Sequence, residues 1–126
     1  MEAQPVEISS GQLAGLPVIR LAGELDLMTA AKARDAILAA LDECPRVLVL
    51  DVRDLTYIDS AGVGVLLAGW QRARNQGGKI VLLAPQPTVK RILSIAGLDE
   101  AFPACADEEA LLRDWVVGCV VKDRRS

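Results

Sequence analysis

An unbroken run of four apolar residues, residues 47–50, is the feature that most constrains the fold of this chain. Because the run has no polar alternation, it predicts a strand buried on both faces of a parallel sheet. Residues 51–58 are expected to connect this strand to a helix, in which apolar residues recur at helical spacing at Val63, Leu66, Leu67, Trp70 and Ala73. Asp59 and Ser60 are therefore expected at the start of the helix, where free backbone N–H groups and the positive dipole end face a hydroxyl or a phosphate.

Strand and helix patterns alternate along the rest of the chain. Strands are predicted near residues 6–9, 18–23 and 79–83, the first two pairing as a hairpin. Helices are predicted to begin at Thr29, near Pro85 and at Asp107, the last running to about Val117. This alternation predicts an α/β fold with a mostly parallel sheet. At 126 residues, the chain is expected to be a single domain, residues 1–126, with 118–126 a C-terminal tail.

Composition argues against several classes of function. The net charge of −3 gives no electrostatic basis for binding nucleic acid or an anionic membrane. No apolar run approaches the roughly 20 residues of a membrane helix, and no signal pattern is present, so we expect a soluble cytoplasmic protein. The sequence has no histidine, and its three cysteines are widely spaced, so we expect no metal site, no cofactor and no Ser-His or Cys-His catalytic pair.

Ser60 and the two glycines after it allow more than one interpretation. Ser60 is a good helix N-cap residue, and capping is the simpler explanation for it. Gly62 and Gly64 each cost a helix about 1 kcal/mol relative to alanine, which indicates close backbone approach by a neighbouring strand or by a partner. Neither a P-loop, a dinucleotide fingerprint nor a nucleophile elbow fits the sequence here, so Ser60 is not expected to be catalytic.

The helix after Ser60 has two distinct faces. Val63, Leu66, Trp70 and Ala73 share the face expected to pack on the core. The nearly opposite face, which carries Ala61, Val65, Ala68 and Arg72, is either buried as well or a flat docking surface next to Ser60. Three acids follow strand ends and are expected to gather at the carboxyl edge of the sheet, namely Glu24, Asp26 and Asp59.

These motifs together resemble the STAS domain of bacterial anti-sigma factor antagonists. The resemblance rests on residues 21–26 (LAGELD), on residues 59–64 (DSAGVG), and on residues 89–93 followed by Gly97, Leu98 and Phe102. It extends over nearly the whole chain, from about Val6 to Leu112. It implies a small, mostly parallel or mixed sheet of four to five strands with helices mainly on one face.

The resemblance also implies a phosphorylation-controlled binding module that has no enzymatic activity. Unmodified protein would bind an anti-sigma factor that is also a serine kinase, thereby regulating sigma-factor-dependent transcription. The kinase would phosphorylate Ser60 and end the interaction, and a serine phosphatase would restore it. Ala61 follows the serine where relatives often have a second hydroxyl, so Ser60 is the only acceptor in the motif.

The expected partner-binding surface surrounds this serine. It comprises Glu24, Asp26, Asp59, Ser60, Ala61, Gly62, Val65, Ala68 and Arg72. The chain is expected to be a monomer or a weak homodimer. The alternative function is a STAS module that senses a nucleotide or small ligand, or a scaffold component, through the N-terminus of the same helix. The lack of lysine or arginine between Arg53 and Arg72 weakens the sensor alternative.

Overall fold

The structure, a computed structural model, describes residues 6–117, and the predicted tail lies outside them. Its six strands are β1 (Glu7–Leu13), β2 (Leu16–Leu25), β3 (Val47–Asp51), β4 (Leu55–Ile58), β5 (Lys79–Leu83) and β6 (Ala104–Cys105). Its α-helices are α1 (Ala30–Leu41), α2 (Ser60–Asn75), α3 (Pro87–Ile95) and α4 (Glu108–Leu111). A π-helical segment, Leu112–Val117, continues α4. The predicted mixed α/β fold is confirmed.

The sheet is mixed, and within residues 6–117 its first pair of strands is the only antiparallel pair. β1 and β2 form the predicted hairpin across Ala14 and Gly15, whose φ angles are both positive, as a tight two-residue hairpin turn requires. The other pairs are parallel, in the order β1-β2-β3-β5-β6. β4 lies off this path and pairs with the last residues of β2.

The described structure has six strands, one more than the predicted four to five, and the short strands β4 and β6 were not among those predicted from the sequence. β4 lies in the stretch expected to be a connection, and its residues are buried only at the two ends, Leu55 and Ile58. This pattern differs from the alternation that marks a half-buried strand. β6 has two residues, too few for any periodicity.

Alternate residues of the central strands enter two separate apolar cores. Leu48 and Leu50 of β3, with Ile80 and Leu82 of β5, face the larger core beneath α1, α2 and α3. The residues between them, such as Val49, face a smaller core that also contains Leu111 of α4. The run of residues 47–50 is therefore buried on both faces, as predicted, because helices cover both sides of the sheet.

The core-facing side of α2 includes the predicted residues and is wider than predicted. Leu66 and Ala73 are buried in the larger core, and Val63 and Trp70 are half-buried and pack against it. Three further residues, which the pattern of large apolar residues did not place on this face, are also buried, namely Gly62, Val65 and Gly69. At Gly69 an added Cβ would lie 3.0 Å from Cγ2 of Ile37 on α1, so the absence of a side chain at this position lets the two helices pack in close contact.

The second core is closed by the end of the described chain. Here the expected single helix from Asp107 is one α-helical turn followed by π-helical turns. Asp107 accepts a hydrogen bond from the backbone N–H of Ala110 at 2.8 Å and so caps α4. Burial raises the pKa of the Cys105 thiol, which keeps it protonated.

None of the helices between residues 6 and 117 has the length and apolar character that crossing a bilayer requires.

Candidate functional site

The parallel pairing of β2 with β4 brings the two motif acids to one edge of the sheet. Leu25 is in register with Ile58, and the next residue on each strand is Asp26 or Asp59. The backbone N–H of Asp59 donates to the carbonyl of Leu25 at 3.2 Å, which extends the pairing by one bond. Glu24 lies within β2, opposite Tyr57. The predicted gathering of acids at the carboxyl edge therefore holds for Asp26 and Asp59.

Asp59 is the residue that caps α2. Its Oδ1 accepts a hydrogen bond from the backbone N–H of Gly62 at 3.0 Å, which satisfies one of the unpaired donors at the helix start. Its Oδ2 accepts a second bond, from the backbone N–H of Leu27 at 3.2 Å. Interpreting Ser60 as the cap was therefore wrong, since the aspartate before it already fills that position.

Ser60 is the first residue of α2 and is exposed to solvent. Its hydroxyl has no hydrogen-bond partner among residues 6–117. The side chain is therefore neither buried nor required for the local fold. A group attached to this oxygen would stand beside the positive end of a helix of 16 residues.

The turn between β2 and α1 is held by its own polar side chains. Oδ1 of Asp26 accepts from the backbone N–H groups of Met28 and Thr29, at 3.0 and 3.2 Å. The Thr29 hydroxyl donates to the carbonyl of Glu24 at 3.1 Å. Thr29 does occupy the predicted N-cap position of α1, but its side chain makes no capping bond to that helix.

This turn presents two large apolar side chains to solvent. Leu27 is 75% exposed and Met28 is 88% exposed. With the Leu27 N–H bound to Asp59 and the Met28 N–H bound to Asp26, the backbone of both residues is fixed although their side chains contact little. The sequence analysis did not single out this pair. The available signal was two adjacent apolar residues between a strand end and a helix start.

The glycines of α2 have different surroundings. A Cβ added to Gly62 would lie 2.7 Å from both Cγ1 of Ile58 and the carbonyl oxygen of Leu25. The sequence allowed two explanations for glycine here, close approach by a neighbouring strand or by a partner. At Gly62, close approach by the neighbouring strands is sufficient. Gly64 is exposed, and within residues 6–117 no heavy atom other than those of its chain neighbours and of the α2 backbone around it lies within 4 Å of the corresponding point.

A groove of about 380 Å³ runs between α1 and α2 next to this turn. From the α1 side it is lined by Leu27, Ala30, Ala31 and Arg34. From the α2 side it is lined by Ala61, Gly64, Val65 and Ala68. This face of α2 is therefore only partly buried, since Val65 is buried while Ala61 and Ala68 are half-buried, and its use as a docking surface stays a prediction.

The remaining predicted site residue, Arg72, lies three turns along α2 from Ser60. Its guanidinium pairs with the Asp42 carboxylate at 2.5 Å. The groove itself carries one charged residue, Arg34, which was not predicted as a site residue. Among the residues that the structure describes, Arg34 has no ion-pair partner.

Arg53, which follows β3, is already paired. Its Nε is 3.1 Å from Asp51 and one Nη is 3.2 Å from Glu108. The hydrogen bond to Asp51 and the two negative charges raise the pKa of the guanidinium further above its usual value. The start of α2 is thus bordered by the carboxylates of Asp26 and Asp59, with Arg34 in the adjoining groove.

Comparison with protein families and with individual relatives points to the same family. The STAS domain family model matches residues 7–111. The anti-sigma F factor antagonist of Paenibacillus polymyxa is 31% identical over 105 residues, which cover 82% of this chain and 89% of that relative.

Solved structures match the architecture as well. An anti-sigma factor antagonist from Mycobacterium paratuberculosis superposes with a TM-score of 0.76 at 27% identity, covering 86% of this chain and 92% of that one. The antagonist SpoIIAA in its unphosphorylated form gives a TM-score of 0.72 at 29% identity, covering 89% and 97% of the two chains. The phosphorylated form of SpoIIAA, a cell fate determinant of Bacillus, gives a TM-score of 0.67 at 28% identity. This match covers 85% of this chain and 98% of that one.

Proposed function

We propose, since this chain belongs to the STAS domain family, that it is an anti-sigma factor antagonist whose binding is switched by phosphorylation of Ser60. The unmodified protein binds an anti-sigma factor that is also a serine kinase, and so frees a sigma factor for transcription. Phosphorylation by that kinase ends the interaction, and a serine phosphatase restores it. The protein acts in the cytoplasm as a single domain, monomeric or weakly dimeric, and regulates without catalysis of its own.

The observation that carries this proposal is the exposed hydroxyl of Ser60 at the first position of α2, which makes no hydrogen bond to any of residues 6–117. A kinase can reach this oxygen without unfolding the domain. The phosphate that results carries about −1.5 to −2 charges at neutral pH. A helix N-terminus tolerates such a charge, so the fold beneath Ser60 is expected to remain intact.

The effect on a bound partner is expected to be large. A partner carboxylate about 4 Å from the new phosphate would cost about 4 kcal/mol per pair of unit charges at an effective dielectric constant of 20. That free energy corresponds to roughly a thousandfold loss of affinity. The carboxylates of Asp26 and Asp59 add to the negative potential that a partner meets there.

The proposed partner surface keeps the residues predicted from the sequence, with different roles. Asp26 and Asp59 shape the edge beside Ser60, Glu24 lies behind them within β2, and Ala61 and Ala68 face the partner directly. Gly62 and Val65 are buried, so they support this surface from beneath. Arg72 stands at its far end, paired with Asp42.

The test replaces Ser60 with aspartate and with alanine. Ser60→Asp is expected to weaken anti-sigma factor binding by at least about tenfold, because it places a negative charge where the phosphate would be. Ser60→Ala is expected to bind like wild type and to resist phosphorylation. Isothermal titration calorimetry and mass spectrometry of the kinase reaction measure both effects.

A matched control is available on α3, where Ser94 is also exposed. Ser94→Asp adds the same charge away from the start of α2 and should leave binding and phosphorylation unchanged. Equal binding by Ser60→Asp and wild type, or phosphorylation of Ser60→Ala, would contradict the switch.

The nucleotide-sensing alternative has weaker support. Two carboxylates border the start of α2, and the nearby sequence from residue 54 to residue 71 has no lysine or arginine to hold a nucleotide phosphate. Calorimetry with GTP and ATP separates the two functions, because tight binding of either nucleotide without a partner protein would favour the sensor.

A further inference from the structure

The α1 side of the groove next to Ser60 has the features of a protein-docking surface. Leu27 and Met28 are two adjacent large apolar side chains that are 75% and 88% exposed, so together they present an apolar patch to solvent. They adjoin a groove of about 380 Å³ between α1 and α2, which Leu27 itself helps to line. The exposed pair and the groove therefore form one continuous surface.

The backbone beneath this surface is fixed before any partner arrives. The Asp59 carboxylate accepts a hydrogen bond from the backbone N–H of Leu27, and the Asp26 carboxylate accepts one from the backbone N–H of Met28. A segment held in this way loses less conformational entropy on binding than a free loop would. Asp59 also caps α2, so the same carboxylate positions the apolar pair relative to Ser60.

The charge of the groove specifies the chemistry of its occupant. Arg34 is the only charged residue in the lining, and it has no ion-pair partner between residues 6 and 117. The α2 wall is low, because Ala61, Gly64 and Ala68 have little or no side chain. An apolar side chain can therefore enter, provided that the group beside it complements a guanidinium.

We propose that Leu27, Met28 and the groove reaching to Arg34 form the anchoring half of the partner interface. The occupant is a segment of the anti-sigma factor that presents an apolar side chain to the groove and a carboxylate to Arg34. This inference rests on the proposed function and extends its interface from α2 to α1. It assigns specificity to residues on which the phosphorylation chemistry of Ser60 does not depend.

The test measures the affinity of each anti-sigma factor kinase of the source organism, purified singly, for variants of this surface. Leu27→Ala and Met28→Ala are each expected to weaken binding by about tenfold, the usual cost of truncating an interface anchor. The matched control is Ile95→Ala, since Ile95 is 79% exposed but lies at the end of α3. That variant should bind like wild type.

The role of the Arg34 charge is tested by reversing the charge of two basic residues of α1, one at a time. Arg34→Glu should weaken binding by at least about tenfold, and the loss should shrink as salt is raised. Lys32→Glu makes the same charge change on an exposed residue of α1 outside the groove lining and should stay within about twofold of wild type. Thermal melting of all variants shows that they are folded, as expected for exposed positions.

Two failures can be told apart. If wild type binds a kinase and Ser60→Asp does not, but the Leu27, Met28 and Arg34 variants bind like wild type, the docking surface is wrong and the switch stands. If wild type binds none of the kinases, the proposed function is wrong and this inference falls with it. Equal losses for Arg34→Glu and Lys32→Glu would reduce the role of Arg34 to overall charge and overturn the predicted carboxylate.

Discussion

Gly62 and Gly64 are two residues apart on α2, yet the structure needs only the first to be glycine. The carbonyl oxygen of Leu25 and the side chain of Ile58 occupy the space that a Cβ on Gly62 would enter. The first turn of α2 can therefore rest directly on the ends of β2 and β4. Gly64 faces solvent beside the groove and contacts nothing in that direction.

This difference predicts opposite effects for the same substitution. Gly62→Ala is expected to destabilise the protein by about 1–3 kcal/mol, because backbone and core atoms must move to admit a methyl group. Gly64→Ala is expected to stabilise it by about 0.5–1 kcal/mol, because alanine favours the helix and meets no obstacle. Urea denaturation followed by circular dichroism measures both values. A stable Gly62→Ala variant would show that the helix start can shift.

The sequence predicted part of this residue-level arrangement. It placed Asp59 and Ser60 at a helix start and interpreted Gly62 and Gly64 as points of close approach, which the structure shows at Gly62 and not at Gly64. Whether a strand or a partner caused that approach depends on the position of Leu25, 37 residues earlier in the chain, which no local pattern contains. The apolar pair Leu27 and Met28 was missed, because the exposure of a side chain follows from tertiary packing.

At the scale of whole elements, the turn from β2 to α1 and the start of α2 share one carboxylate. Oδ1 of Asp59 caps α2 through Gly62, and Oδ2 holds the turn through Leu27. Two elements that are separate in sequence therefore depend on a single side chain. Their relative position is fixed without a buried charge, since Asp59 is only half-buried.

Two variants of Asp59 separate these roles. Asp59→Ala removes both acceptors and is expected to cost about 1–2 kcal/mol of stability, the usual cost of losing an N-cap. Asp59→Asn keeps one acceptor for the cap and should retain most of that stability. Its amide N–H₂ group cannot accept from Leu27, so the backbone amide of Leu27 should lose its hydrogen-bond signature.

Chemical denaturation measures the stability of both variants, and the temperature dependence of the Leu27 amide shift in NMR spectra reports its bond. If Asp59→Asn proved as unstable as Asp59→Ala, the cap would depend on negative charge rather than on an acceptor atom.

Element prediction succeeded for the long helices and the central strands, and it missed two short strands. The central strand at residues 47–50 and the helix after Ser60 are both present as expected. The burial of the four residues of β4 does not alternate, and β6 has only two residues, too few for any period. The core face of α2 is wider than predicted, because glycine adds nothing to an apolar pattern although Gly62 and Gly69 are buried.

At the scale of the whole molecule, the sheet separates two apolar cores, of which one lies beneath the candidate site and the other does not. The larger core lies beneath α1, α2 and α3 and supports the candidate site. The smaller one lies on the opposite face and is closed by Leu111 and Trp115. Changes in the smaller core should therefore alter stability without altering the surface around Ser60.

Leu111→Ala tests this separation. Leu111 is fully buried, so the substitution is expected to cost about 2–5 kcal/mol of unfolding free energy. Well below the melting temperature, affinity for the anti-sigma factor should be unchanged. The control Glu109→Ala, at an exposed position of the same helix, should change stability by less than about 0.5 kcal/mol. A loss of affinity in folded Leu111→Ala protein would show that the two faces are coupled.

The exposure of Leu27 and Met28 has a consequence for signalling networks. Both side chains project from a turn whose backbone is secured by aspartates, so replacing them should leave folding almost untouched. A cell could therefore carry several copies of such a domain that differ chiefly at this pair and keep parallel pathways free of crosstalk. New partner choice would then require few substitutions and no redesign of the scaffold.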